Sequence, residues 1–298
     1  MTFRSPADLT RARTYERRFA RVIEHVHTHL DEPLDLDRLA DIAALSRWHW
    51  HRVWQAVFGE SVVAMVRRMR LHRAASALAF GETDLEKLAL QAGYGSLAAF
   101  SRAFRQSYGL PPATYRQEGS HRRFDKDWTP PAPSGSDTTG AYPMQNVTIR
   151  QEPQRFFASI PHTGPYIEID RAFEHLIGSL ASRGLMDKAG QMFGFYYSDP
   201  SVVPEPDLQS KATMELTEEI AFEAPLQRLE MPARRYAVLR HKGPYADMRA
   251  AYDWLYGTWL PASGEELADA PVMEIYISNP RETAPADILT DICLPLKG

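Results

Sequence analysis

Glu274 lies in Val-Met-Glu-Ile-Tyr-Ile-Ser (residues 272–278), where side chains alternate at the two-residue period of a strand. Glu274 and Tyr276 therefore share one face, and Ile275 and Ile277 the other. A carboxylate between large apolar residues has two readings. Either the strand lies at a solvent-facing edge, or the acid is buried to serve a ligand, since burying it unpaired costs on the order of several kcal/mol. The aromatic company for the second reading is Tyr196, Phe195, Phe173, Tyr245, Tyr252 and Trp254. A carboxylate among aromatic faces suits an organic cation, through Coulomb attraction and cation–π contacts of about 0.5–2 kcal/mol each.

A second chemistry sits near the other end of the chain. Trp50, Val53, Trp54 and Val57 follow the i, i+3, i+4, i+7 spacing of a buried helix stripe, which leaves Trp48, His51, Arg52 and Gln55 outward, with Arg47 just ahead. Some fifty residues on, Phe100, Ala103, Phe104 and Ser107 repeat the inner stripe. Ala98, Ser101, Arg102 and Arg105 repeat the outer one, after Ser96. Arg and His hydrogen-bond guanine edges or phosphates, and an exposed Trp packs on sugar or a thymine methyl, so both outer stripes suit duplex DNA.

Two duplications position these residues. Asp35 caps a short helix with apolar Leu36, Leu39, Ala40 and Ala43, and Asp84 stands before Leu85, Leu88, Ala89 and Ala92 at the same spacing. Each short helix leads through a turn into one of the striped helices, which makes two helix-turn-helix units. Residues 62–79 form the helix between them, and its arginines, Arg67, Arg68, Arg70 and Arg73, are expected at phosphates or in solvent. In the second half, Gln151 to Phe173 aligns with Glu230 to Tyr252, pairing His162 with His241 and Gly164-Pro165-Tyr166 with Gly243-Pro244-Tyr245. Phe195 to Pro200 then matches Ile275 to Pro280, so each copy reads strand, helix, strand, strand. The expected fold is multidomain: an all-α double helix-turn-helix domain (1–118), a Pro/Ser/Gly-rich linker (119–143), and an α+β domain (144–298) of two pseudo-symmetric βαββ units around a cleft.

The 298 residues carry a net charge of −4, but the sign is divided. Residues 1–128 hold 20 Lys and Arg against 15 Asp and Glu, and residues 129–298 hold 14 against 23. A basic half suits a polyanion, and an acidic half suits something neutral or cationic. The single cysteine, Cys293, excludes an intrachain disulfide and any zinc site with two thiolates. His25 and His29 share a helix face without a carboxylate or thiol to complete a metal site, so neither metal nor cofactor is expected. No P-loop, GxGxxG, GxSxG or HExxH occurs. The absence of a signal-like or membrane-length apolar run gives the expectation of a cytoplasmic protein with no membrane partner.

Ala89 to Arg116 (AxxxGYGSLAAFSRAFRQSYGLPPATYR) and Ser46 to Ala75 resemble the two long motifs of the AraC family of bacterial transcription regulators. With the DNA-binding domain first, the order resembles the Rob subgroup. The resemblance implies base reading by Trp48, His51 and Arg52 and contact with RNA polymerase. It departs in the second reading helix, where the family often carries polar residues and this chain has Leu97, Ala98 and Ala99, leaving Arg102 as the strong candidate there. Residues 144–298 resemble the GyrI-like effector-binding domain, most clearly in His-Lys-Gly-Pro-Tyr and Glu-Ile-Tyr-Ile-Ser-Asn-Pro. This implies a small-molecule pocket in which Glu274 matches the acidic pocket residue. The expected function is a DNA-binding regulator that senses a small amphipathic or cationic effector and has no catalytic residues. The alternatives are a hydrolase of electrophiles using Glu274 and a tyrosine, and an interaction module without a ligand.

Overall fold

In the computed structural model, which describes residues 6–44, 50–119, 147–200 and 203–298, both capping aspartates start helices. Asp35 accepts from the Arg38 amide at 3.0 Å and opens α2 (Leu36–Ala43), and Asp84 accepts from the Lys87 amide at 2.9 Å and opens α5 (Leu85–Gln91). The striped helices are α3 (Trp50–Phe58) and α6 (Leu97–Tyr108), with Trp50, Trp54 and Phe58 buried in one and Phe100, Ala103 and Phe104 in the other. α1 (Pro6–Thr28) precedes the repeat, α4 (Val62–Ala79) joins its two copies and α7 (Pro112–Glu118) follows it. The residues expected as a linker, beyond Gly119, lie outside the described residues.

Each copy of the second half carries one strand more than expected. The first contains β1 (Val147–Glu152), β2 (Arg155–Thr163), α8 (Asp170–Ser182), β3 (Ala189–Tyr196) and β4 (Gln209–Leu216). The second contains β5 (Gln227–Met231), β6 (Arg234–Lys242), α9 (Met248–Trp254), β7 (Val272–Tyr276) and β8 (Leu289–Pro295). Pro153 and Pro232, which lack the amide a ladder needs, separate the added strands β1 and β5 from their successors.

Two compact units result, and each combines one helix-turn-helix copy with one effector-type copy. The first comprises residues Met1–Met69, Glu152–Arg234 and Ala270–Tyr276, with strand order β7-β3-β4-β2-β5 and antiparallel pairing throughout. Its core runs from Phe19, Ile23, Trp54 and Phe58 to Leu176, Ile177 and Leu180 of α8 and on to Ala158 and Ala212 of the sheet. α8 is thus buried between α1 and α3 on one side and β2 and β4 on the other. The second unit comprises residues Arg70–Gln151, Arg235–Asp269 and Ile277–Gly298, with strand order β1-β6-β8. Its helical core gathers Leu71, Leu78, Phe100, Phe104, Tyr108, Tyr115 and Ala246. Truncating one such buried aromatic to Ala costs about 3–5 kcal/mol. Among the described residues no helix is long and apolar enough to cross a membrane, and no cluster of three metal-ligating side chains occurs.

Candidate functional site

The pairing of β3 with β7 builds the chemical centre of the first unit. Antiparallel register sets Gly194 opposite Glu274, Met192 opposite Tyr276 and Tyr196 opposite Val272. By the pleat, Glu274, Tyr276 and Tyr196 then project on one face. Their oxygens meet: Tyr196 Oη and Tyr276 Oη lie 2.7 Å apart, and each lies 3.0 Å from Glu274 Oε2. Glu274 is only 5% exposed, so its strand is no solvent-facing edge. Two phenol donors at one carboxylate oxygen supply the compensation that a buried acid requires.

Gly194 makes the meeting possible. A Cβ at that position would stand 2.7 Å from Tyr276 Oη and 2.9 Å from Tyr196 Cε2, closer than side chains tolerate. The walls are aromatic. Phe173, at the start of α8, meets the Tyr276 ring edge-on with centroids 5.2 Å apart, and Tyr166 meets the Tyr196 ring in the same way at 4.8 Å. Tyr166 is tied down by its hydroxyl, which donates to the Ser198 carbonyl at 2.7 Å and accepts from the Ser198 amide at 2.9 Å. Burial, with the Glu274 charge adding to it, pushes the Tyr166 phenol above its ordinary range, so it stays a neutral donor. The turn that delivers Tyr166 is closed by His162, whose Nε2 donates to the Pro165 carbonyl at 3.1 Å. Burial holds that imidazole below its usual value.

Phe195 corrects the expectation drawn from aromatic content. Lying between Gly194 and Tyr196, it projects from the opposite face of β3 and packs edge-on against Phe157, 5.4 Å away. Tyr245, Tyr252 and Trp254 belong to the second unit, where Tyr245 meets His72 of α4 edge-on at 6.0 Å. The structure therefore assembles Glu274, Tyr276, Tyr196 and Phe173 from the expected set and adds Tyr166 and Gly194. The repeated Gly-Pro-Tyr held the signal for Tyr166, but only pairing tells which copy faces the acid.

Of the expected DNA-reading residues, Ala98, Arg102 and Arg105 are exposed and Ser101 is half-buried on α6. Ser96 caps that helix, its hydroxyl accepting from the Ala99 amide at 3.2 Å. Gln55 is exposed on α3 and donates through Nε2 to the Gly59 carbonyl at 2.8 Å. Arg47 and Trp48 lie outside the described residues. His51 and Arg52 fall within α3, but their side chains lie outside the described set. Arg68 of α4 is not left for phosphate, since it donates to Glu60 at 2.8 Å and to Glu174 at 3.3 Å.

Residues 145–297 match the family described as the GyrI-like small molecule binding domain. The chain belongs to the GyrI-like family. Ahead of the GyrI-like domain, residues 39–118 match a helix-turn-helix domain family. The regulatory protein SoxS of Salmonella typhimurium is 33% identical over 95 residues, covering 32% of this chain and 89% of that protein. The transcriptional regulator Rob of the same organism is 34% identical over 125 residues, which is 42% of each chain. These relatives place the helix-turn-helix domain of this GyrI-like chain in the AraC family, with the Rob-like order of domains. The chain spans between 33% and 42% of the length of the first curated relatives it matches. A cryo-EM structure of an EcmrR–DNA complex covers 88% of this chain and 98% of that one, with 16% identity and a TM-score of 0.44. The structure of SAV2435 bound to tetraphenylphosphonium covers 51% of this chain and 94% of that one, with 14% identity and a TM-score of 0.37.

Proposed function

We propose that this chain is a one-component, cytoplasmic transcription regulator. Residues 1–118 bind duplex DNA through Arg47, Trp48, His51, Arg52 and Gln55 in the first unit and Ser101, Arg102 and Arg105 in the second. Residues 144–298 bind a small amphipathic cation that alters DNA affinity or contact with RNA polymerase. The observation that carries the sensor is the carboxylate of Glu274, buried, bonded by two tyrosine hydroxyls and walled by Phe173 and Tyr166. A cation entering there exchanges hydration for a fixed negative charge and π faces, and a neutral isostere gains only the apolar contact.

The test is calorimetric titration of the full chain with tetraphenylphosphonium and a neutral aromatic of similar size, repeated with Glu274→Gln. Cation binding weakened about tenfold or more in the variant is expected, the worth of a charge-assisted contact. Equal binding of the neutral compound, or no effect of Glu274→Gln, refutes the cation site. Turnover of an electrophilic ester at wild-type Glu274, lost in the variant, favours the hydrolase alternative. For the DNA half, Arg52→Ala and Arg102→Ala are each expected to cost about 1–3 kcal/mol on a selected duplex and to relax preference at one base pair. Unchanged affinity and preference in both variants refute those roles.

A further inference from the structure

Helix α8 touches the tyrosine–glutamate site with one residue and the first helix-turn-helix unit with the next. Phe173 meets Tyr276 on the sheet side. Glu174, 1% exposed, points to the helical side, where Arg68 of α4 donates to its Oε1 at 3.3 Å. Its Oε2 faces Nε2 of His27, from α1, at 3.7 Å. That separation is within ion-pair range for a protonated imidazole but too long for a hydrogen bond, and neither buried atom has a hydrogen-bond partner among the described residues. An open contact between a buried carboxylate oxygen and a buried imidazole nitrogen is costly on both sides, and a shift of α8 by less than about 1 Å closes it. One turn further on, Gly178 receives the Phe58 ring, 3.4 Å from where a Cβ would stand, and Phe58 packs at a tilt against Trp54 of α3 with centroids 4.2 Å apart. Movement of α8 thus bears on the buried stripe of the helix that carries the expected base-reading residues.

We propose that α8 is the coupling element between the Glu274 site and the first helix-turn-helix unit, and that the open His27–Glu174 contact is its switch. With the contact open, Arg68 is the helical-domain residue that hydrogen-bonds Glu174; with it closed, α1 and α8 are drawn together under Phe58. The purpose of the coupling rests on the regulator reading, since reciprocity requires that a ligand transmitting to DNA through α8 be transmitted to by DNA equally. The existence of the coupling does not rest on that reading. The charged and titratable groups around the switch are Glu24 on α1, Arg68 on α4 with Glu60 before it, and Asp170, Arg171 and His175 on α8 itself.

The test uses the full chain without DNA or effector. Amide hydrogen exchange of α1 and α3, and the titration of the His27 ring by NMR, are compared in wild type and in Tyr276→Phe, which removes one hydroxyl at the far end of the path. Exchange in α3 and the last turns of α1 is expected to change by about 2- to 30-fold, the span of couplings carried through packed elements. The His27 titration is expected to move with it. In a His27→Asn background the response to Tyr276→Phe is expected to fall below about twofold. Should His27→Asn lose protection throughout, Glu174→Gln, which keeps an acceptor for Arg68, takes its place. The proposal is overturned if α1 and α3 do not respond to Tyr276→Phe, or if the response survives loss of the switch. Because neither ligand nor DNA is present, this result and the binding result above fail independently.

Discussion

Gly194→Ala adds one methyl group where the structure has least room for it. The new Cβ would lie 2.7 Å from Tyr276 Oη, 2.9 Å from Tyr196 Cε2 and 3.1 Å from Tyr196 Oη. Neither ring can simply swing away, because Phe173 backs one and Tyr166 the other. The hydroxyl pair must part, and at least one bond to the Glu274 carboxylate is lost, worth about 1.5–3 kcal/mol for a charged acceptor. Alanine in a strand recovers about 0.5–1 kcal/mol of chain entropy. The net expectation is about 1–2 kcal/mol of destabilisation, together with loss of the geometry that presents the acid. The same strand provides the control. At Gly190 the added Cβ meets nothing nearer than the Glu215 carbonyl oxygen at 3.7 Å, so Gly190→Ala is expected to be neutral or slightly stabilising. Urea denaturation of the two variants, compared at the midpoint, separates them. Adding Tyr276→Phe to Gly194→Ala removes the worst contact and should make the two substitutions less costly together than their sum. Equal midpoints for Gly194→Ala and Gly190→Ala, or strict additivity in the double variant, would refute the account of the site as a meeting of two hydroxyls over a glycine.

His175 is a half-buried imidazole on α8 whose pKa is lowered to about 4, first by burial and then by the Arg171 charge. Its folded value lies below its unfolded value near 6.5, so its contribution to stability is complete above that pH and is lost as pH falls towards 4. The gap corresponds to about 3 kcal/mol, reduced to about 2 because water reaches part of the ring. His175→Leu should flatten the stability–pH curve between those limits, and an unchanged slope would count against it. Tyr115 of α7 donates to Asp247, a fully buried carboxylate in the second unit. Tyr115→Phe removes a donor from a buried charge and is expected to cost about 1.5–3 kcal/mol, read as faster amide exchange in α7; unaltered exchange would show that the bond is not a tether. Asp291, buried on β8, accepts from Arg150 and Arg240, whose guanidinium groups outweigh its burial and hold its carboxyl below the usual range. Its stabilisation is present above the unfolded carboxyl value near 3.8 and lost as pH falls further, so Arg240→Ala should raise the pH midpoint of acid unfolding.

Local signals carried the sequence reading furthest. Asp35 and Asp84 announced their helices because a cap is a contact between residues three apart, and Trp50, Trp54, Phe100 and Phe104 announced their buried stripes because helical period is fixed by geometry. Pairing over long separations carried nothing comparable. β1 and β5 are short and largely polar, and β5 becomes a strand by pairing with β2, some seventy residues earlier. Aromatic content groups Phe195 with Tyr196, although one residue along a strand reverses the face. Glu174 reads in sequence as one more charge on an amphipathic helix. Its burial follows from α8 being covered on its second side by α1 and α3, a packing of the two domains that no periodicity within α8 records.

The duplication itself explains why the acid appears once. An offset of 80 residues carries Gly194 to Glu274 and Tyr196 to Tyr276, and the β3–β7 register sets the first of these pairs directly opposite each other. Exchanging the two copies returns the same ladder, since Tyr196 opposite Val272 becomes Tyr276 opposite Met192. A glutamate in both copies would set two carboxylates face to face on neighbouring strands, a like-charge pair that destabilises the ladder. A glycine in both would leave the tyrosines no carboxylate to bond. The tyrosines, in contrast, are useful in both copies, because two donors from opposite directions converge on one oxygen. The site therefore requires the repeat to stay symmetric at positions 196 and 276 and to diverge at 194 and 274. Restoring symmetry with Glu274→Gly would remove the charge and leave the hydroxyls bonded only to each other, which is why the cation site is expected to tolerate neither Gly194→Glu nor Glu274→Gly.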